Sequence, residues 1–541
     1  MAQPTVRLPQ GVVVGVELQE VFPRPVEAFL GIPYALPPIG DLRFRPAVRV
    51  NISAETIDAS KYSAIAPGKA LVVTRPQLPQ SEDCLTVNVF RQKGSGCWKK
   101  LPVAIYVHGG AFNRGSASMH NTPSMLGWSE ESFVAVSFNY RLGALGFLPS
   151  SLAKKEGILN LGLHDQLLLF EWVQENIHCF GGDAGNVTLV GLSAGAHSIG
   201  HHLMNYCEGK TPLFQRAIIE SGAPTSRAVR PYDAEIHEKQ FKDFLEETNC
   251  PENLPEGKVF PFLRSLPSSI ITSAQTVVFD KYNPSLRWAF QPVIDNDIIS
   301  RKPLEAWLSG KWNKVPIMTG FNTNEGTMYV DKSMSRPSDF RLFWRHLLPE
   351  LSPADLDEIE RLYPNPENDP SSPYYESRTH LGIGAQFKRI EAAYAHYAYI
   401  APVRQTAHFT SAGQTEPVYL YHWALAKTVI GRANHADNMR YETCDAGTVN
   451  VTNAQRELAQ TLHAYVTSFI TKGDPNALGG RCATRPEWKA YEQGNGKVMI
   501  FGDGNEELIG GGIGTPAKLL DDVWAKSESD FWWSKVEISQ Q

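Results

Sequence analysis

Strand-length apolar runs and helical stripes alternate through one part of this chain. Residues 101–107 (LPVAIYV) and 133–138 (FVAVSF) are nearly continuous apolar segments, the pattern of strands covered on both faces. Between Asp165 and Ile177 the apolar residues Leu168, Leu169, Trp172, Val173 and Ile177 recur at helical spacing. Residues 187–190 and 215–220 read as two further strands. Such alternation predicts an α/β fold, its central sheet mostly parallel and flanked by helices. The first hundred residues read as short strands and turns. Residues 230–400 look more helical and irregular, and strand signals return at 315–318 and 418–421. No internal repeat, low-complexity tract or linker-like stretch interrupts the chain. We expect one α/β catalytic domain over 1–541, with long helical and loop insertions.

Composition narrows the function classes. The 541 residues carry a net charge of −6, so no basic excess points to nucleic acid or an anionic membrane. Hydrophobic residues make up 42%, ordinary for a soluble globular protein. No apolar run approaches the roughly 18–20 residues that span a bilayer. The first twenty residues lack a signal-peptide apolar region, and KVEISQQ at the end is no prenylation or retention signal. Seven cysteines at wide spacings do not form a disulfide framework. The sequons at Asn51, Asn186 and Asn450 would matter only in a secreted form. Together these features predict a soluble, cytoplasmic chain with no nucleic-acid partner and no membrane span. They leave the oligomeric state open.

The stretch VTLVGLSAGAHSIG (187–200) runs from strand to helix-compatible sequence with no loop between. A strand turning directly into a helix forces its turn residue into a strained backbone. Side chains two places to either side would collide, which explains Gly191 and Gly195. The strain lifts the Ser193 hydroxyl above the sheet. The helix starting at Ala194 then turns its free N–H groups and positive dipole end toward the same point. Ser193 is therefore the candidate nucleophile. A serine needs a base to take its proton and donors for the oxyanion that forms. YVHGGAFNRG (106–115) offers such donors where the 101–107 strand ends, because glycines let main-chain N–H groups approach a substrate closely.

Here the sequence resembles the type B carboxylesterase/lipase family, which includes the cholinesterases and has the α/β-hydrolase fold. The resemblance runs from about Gly11 to Trp533. FLGIPYALPPIGDLRFRPA (29–47), EDCLTVNVFRQ (82–92) and FGGDAGNVTLVGLSAG (180–195) are similar to family motifs. SFNYRLGALGFL (137–148), GLHDQLLLFEWVQENI (162–177), FQPVIDNDII (290–299) and GDPN (473–476) follow the family order. The resemblance implies Glu325, in PIMTGFNTNEG, as the acid and His435, in GRANHADN, as the base. It also assigns the oxyanion hole to the N–H groups of Gly110, Ala111 and Ala194. Asp331 and Glu305 are rival acids, but neither directly follows a strand. His422 is the rival base, in a strand-like segment that suits a sheet role. Arg141, Asp183 and Ser221 match family positions as scaffold.

The sequence departs from the family in four places. Leu192 stands where most members have a glutamate that favours cations. Ala111 replaces a glycine but keeps its N–H. No cysteine precedes Cys84 to form the family disulfide, unless Cys97 substitutes. The segment 63–84 lacks the tryptophan with which cholinesterases hold choline. These departures imply a neutral, non-choline ester. His197 and His201, one helical turn apart, with His202 invite a metal reading, but the glutamate of a metalloprotease motif is missing. The expected function is serine carboxylic ester hydrolysis of a small-molecule or natural-product ester through an acyl-enzyme, with no cofactor and no metal. The same triad would serve an acyltransferase or lactonase. A non-catalytic binding member of the family is the third alternative.

Overall fold

The computed structural model describes residues 3–20, 22–70, 78–95, 100–227, 229–367, 369–426, 433–482, 484–505 and 514–539. A small sheet joins β1 (Thr5–Leu8), β2 (Gly11–Val14) and β5 (Thr56–Asp58). The main sheet contains β3 (Val16–Glu17), β4 (Val26–Pro33), β6 (Thr86–Gln92), β7 (Leu101–Val107), β8 (Val134–Phe138), β9 (Gly182–Leu192) and β10 (Arg216–Glu220). It continues through β11 (Ile317–Asn322), β12 (Val418–Trp423), β13 (Lys497–Phe501) and β14 (Ala517–Asp521). Its order is β14-β13-β12-β11-β10-β9-β7-β8-β6-β4-β3. From β13 to β8 every neighbouring pair is parallel, and antiparallel strands complete both edges.

Every residue of β8, β11 and β12 is buried, as double coverage of a parallel sheet requires. Successive side chains of β9 serve opposite faces. Val187 and Leu189 pack with Leu169, Val173 and Ile199 of the helices Leu161–Asn176 and Ala194–Met204. Val190 joins Leu458, Leu462 and Phe469 of the helix Asn453–Lys472 on the other side. The strand expected from residue 315 starts only at Ile317, because Pro316 has no N–H to enter the ladder and contributes its carbonyl to Ala217 N–H instead.

The expected insertion is largely helical and builds a third apolar cluster. Phe340, Phe343 and Trp344 of the helix Pro337–Leu347 pack with Trp288, Tyr394 and Ala111. Ala111 lies just beyond β7, so this helical layer sits over the carboxyl ends of the strands. Those ends are where an open α/β sheet binds ligands. Among the described residues, no helix is long and apolar enough to cross a membrane.

Candidate active site

Ser193 is the single residue between β9 and the helix Ala194–Met204, at φ 60° and ψ −124°. A non-glycine residue held there stores roughly 1–3 kcal/mol of strain. Its N–H donates to Glu220 O at 2.9 Å, which pins the turn to the end of β10. The flanking glycines are sterically required. A Cβ on Gly191 would lie 2.8 Å from the Gly195 carbonyl carbon, and one on Gly195 would lie 2.0 Å from Val107 O. A Cβ on Gly109 would come within 3.0 Å of Ser193 Cβ. The loop after β7 therefore touches the elbow directly.

That loop has three consecutive residues at positive φ: Gly110 at 114°, Ala111 at 56° and Phe112 at 61°. Its strained shape is braced from several sides. Asn113 and Arg114 N–H groups donate to Gly110 O, the Asn113 amide donates to Ala111 O and Ala289 O, and Gly143 N–H donates to Phe112 O. The Gln291 amide also donates to Ala111 O, at 3.0 Å. The N–H groups of Gly110, Ala111 and Ala194 meet no acceptor among the described residues. Three unsatisfied donors beside the buried Ser193 suit a developing oxyanion.

Glu325 follows β11 and His435 follows β12, the neighbouring strand. Their loops are joined by main-chain and side-chain bonds. Asn324 N–H donates to Ala433 O, and the Asn322 amide donates to Asn434 O at 2.6 Å. Asn322 N–H donates to Glu325 Oε1 at 2.7 Å, while His435 Nδ1 donates to Glu325 Oε2 at 2.5 Å. Glu325 is fully buried and His435 is 6% exposed. His435 Nε2 is buried and has no hydrogen-bond partner among the described residues, Ser193 Oγ included. The elbow helix and His435 share a wall: Tyr399 stands 4.8 Å from the His435 ring and 6.4 Å from that of His197. The rivals lie elsewhere. Asp331 and Glu305 are exposed, and His422 points its Nε2 at Thr323 Oγ1 at 2.7 Å.

His197, His201 and His202 are all buried and serve packing. His197 Nδ1 lies 2.9 Å from Ala223 O, and His202 Nε2 lies 2.9 Å from Gln166 Oε1. Burial, then the Arg227 charge, holds the His197 pKa well below its ordinary value. Arg141 forms a buried ion pair with Asp165 at 2.6 Å, Asp183 accepts from Gly185 N–H, and Ser221 N–H donates to Gly320 O. Cys84 is buried and unpaired; Cys97 lies outside the described residues.

Sequence reasoning missed Arg227, one of two arginines in the irregular loop after β10. Its guanidinium lies 3.8 Å from the Trp288 ring centroid, 5.3 Å from that of Tyr329 and 5.6 Å from that of Tyr399. It also donates to Tyr399 Oη at 2.5 Å. Tyr329 and Tyr399 both flank His435, so a fixed cation occupies the aromatic box beside the candidate base.

The family profile described as "Carboxylesterase family" matches residues 2–511. Secreted lipase 4 of Gibberella zeae is 35% identical over 471 residues, 87% of this chain and 83% of that protein. Para-nitrobenzyl esterase of Bacillus subtilis is 29% identical over 88% of this chain and 91% of its own. In structure, Aspergillus niger EstA superposes with a TM-score of 0.82 at 26% identity, covering 100% of this chain and 99% of its own.

Proposed function

Because the chain belongs to the carboxylesterase family and is a carboxylic ester hydrolase with the α/β-hydrolase fold, we propose that it works through an acyl-enzyme on Ser193, with His435 as base and Glu325 as acid. The observation that carries this reading is the buried Glu325–His435 bond, which leaves His435 Nε2 unpartnered. His435 Nε2 takes the Ser193 proton as the hydroxyl attacks the ester carbonyl. Glu325 fixes the tautomer that presents Nε2 and stabilises the imidazolium. The N–H groups of Gly110, Ala111 and Ala194 receive the oxyanion. His435 then protonates the leaving alcohol and activates the water that releases the acid.

The substrate is a non-choline ester. Leu192 brings no negative charge to the elbow, and Arg227 already fills the aromatic box that a quaternary ammonium would need. We take residues 1–541 as one catalytic domain. Cys84, Cys207, Cys250, Cys444 and Cys482 form no disulfide among the described residues. The relatives named secreted lipase 4 and secreted triacylglycerol lipase LIP1 do not support the cytoplasmic expectation. Secretion into the culture medium, tested with the native chain, decides the compartment.

The triad is tested with p-nitrophenyl esters and a fluorophosphonate probe. Wild type turns over the esters and labels at one serine, while Ser193→Ala does neither. Full turnover by Ser193→Ala would exclude the assignment. New esters formed when acceptor alcohols are supplied would identify an acyltransferase instead.

A further inference from the structure

A cavity lies behind Arg227, in the helical layer over the site. Arg227, Arg230, Arg287 and His237 line it together with Trp288 and Gln291, and it offers about 40 Å³ to the centres of water-sized groups. No carboxylate lines it among the described residues. The Nε atoms of all three arginines and His237 Nε2 are buried without a hydrogen-bond partner. His237 itself is only 4% exposed. Burial and the nearby Arg287 charge depress the Arg230 pKa to about 10, and burial with the Arg230 charge depresses that of His237 to about 4. The cations therefore act on one another with no counter-charge between them.

The three arginines are half-buried with their Nε atoms fully covered, and cations held this far from water are normally paired. Three arginines with unpartnered Nε–H groups on one cavity suit an anion, and the guanidinium fork suits a carboxylate or phosphate. The cavity also borders the reaction centre on two sides. Gln291 bonds Ala111 O of the oxyanion loop, and Arg227 bonds Tyr399, which stands against His435.

We propose that this cavity binds an anionic group, a carboxylate above all, carried by the ester substrate, so that the enzyme prefers esters of negatively charged molecules. This rests on the acyl-enzyme reading above. It replaces the neutral ester expected from the sequence, since none of these arginines sits in a recognisable motif.

The test pairs charged and neutral esters of matched size. Mono-p-nitrophenyl adipate against its methyl ester places the charge on the acyl side. 4-Acetoxybenzoate against methyl 4-acetoxybenzoate places it on the alcohol side. Wild type should favour the charged member of at least one pair by roughly tenfold or more in kcat/KM. Arg230→Gln and Arg287→Gln should each cut that ratio about tenfold, through KM. No preference in either pair overturns the proposal, as does an equal loss on both members, which marks the arginines as scaffold only. Binding of mono-p-nitrophenyl adipate and of 4-acetoxybenzoate to Ser193→Ala, followed by calorimetry, separates the two readings. Arginine-dependent binding of either in an enzyme that hydrolyses no ester keeps the anion site and removes the triad. Hydrolysis of neutral esters with no such binding of either does the reverse.

Discussion

Asn322 and Glu325 form a closed turn in which the main-chain N–H of the first donates to the carboxylate of the second at 2.7 Å. The same Asn322 extends its side-chain amide to Asn434 O, one residue before His435. One residue thus sets the acid and ties down the loop of its partner. Asn322→Ala keeps the first bond and loses the second. It should lower kcat roughly tenfold with little change in KM, and cost about 1–3 kcal/mol of stability. Asn322→Gln should recover less than half of the loss, since the longer side chain misplaces the donor. An unchanged kcat in Asn322→Ala shows that the main chain alone holds the pair.

Removing the carboxylate itself tests the proposed roles more directly. Glu325→Gln keeps the shape but offers an N–H where His435 needs an acceptor. The wrong tautomer then faces Ser193, and kcat should fall by about three to four orders of magnitude. Fluorophosphonate labelling should slow in parallel, while the thermal midpoint moves by only a few degrees. A loss of less than tenfold means that Glu325 is not the acid.

The elbow glycines separate steric need from open space. Gly195→Ala would drive a methyl to 2.0 Å from Val107 O, against the main chain at the end of β7. Soluble yield and activity should both collapse. Gly209→Ala meets nothing within 4 Å, although its φ of +77° carries a strain cost of about 1 kcal/mol. Its activity should match wild type. Equal behaviour of the two variants would mean that the elbow can open.

Much of this was legible in the sequence, for identifiable reasons. The parallel strands are buried on both faces, so they appear as apolar runs. The elbow is steric, so it appears as glycines around one serine. Glu325 and His435 could be named only through family motifs, because their bond joins separate loops. The arginine cavity gave no signal. Arg227 and Arg230 fall in one irregular loop and Arg287 in another, and only the packing of the helical layer turns them toward a shared space. Ala111 enters as a donor only through the family resemblance, and its positive φ, which depends on braces from Asn113 and Gln291, left no sequence signal.

Charge in the aromatic box gives a prediction about alcohols. Butyrylthiocholine and the thioester of 3,3-dimethylbutanethiol differ mainly in one positive charge. With Arg227 fixed over Trp288 at 3.8 Å, the cationic substrate meets repulsion where choline normally finds attraction. The neutral thioester should show the higher kcat/KM by at least about tenfold. A preference for butyrylthiocholine overturns the non-choline reading.

Acid sensitivity follows from the buried histidines. Burial lowers the pKa values of His108, His120, His197, His201, His202, His237, His396, His422 and His463. The unfolded chain takes up protons on these rings near pH 6.5, whereas folded His202 does so only at about 3. Between those values the unfolded state binds more protons, so stability rises with pH and is lost as pH falls from 6.5 toward 3. Glu391 and Glu442 oppose this. Burial raises both to about 7, so each favours folding as pH drops from 7 toward the ordinary carboxylate range. Nine rings outweigh these carboxylates together with Glu220, which burial also raises. The urea midpoint should therefore fall steeply between pH 6.5 and 5. His202→Gln, which can keep a bond to Gln166, should flatten that slope by up to one proton. A urea midpoint that stays level from pH 7 to 5 means that several of these rings are protonated in the folded chain, against their burial.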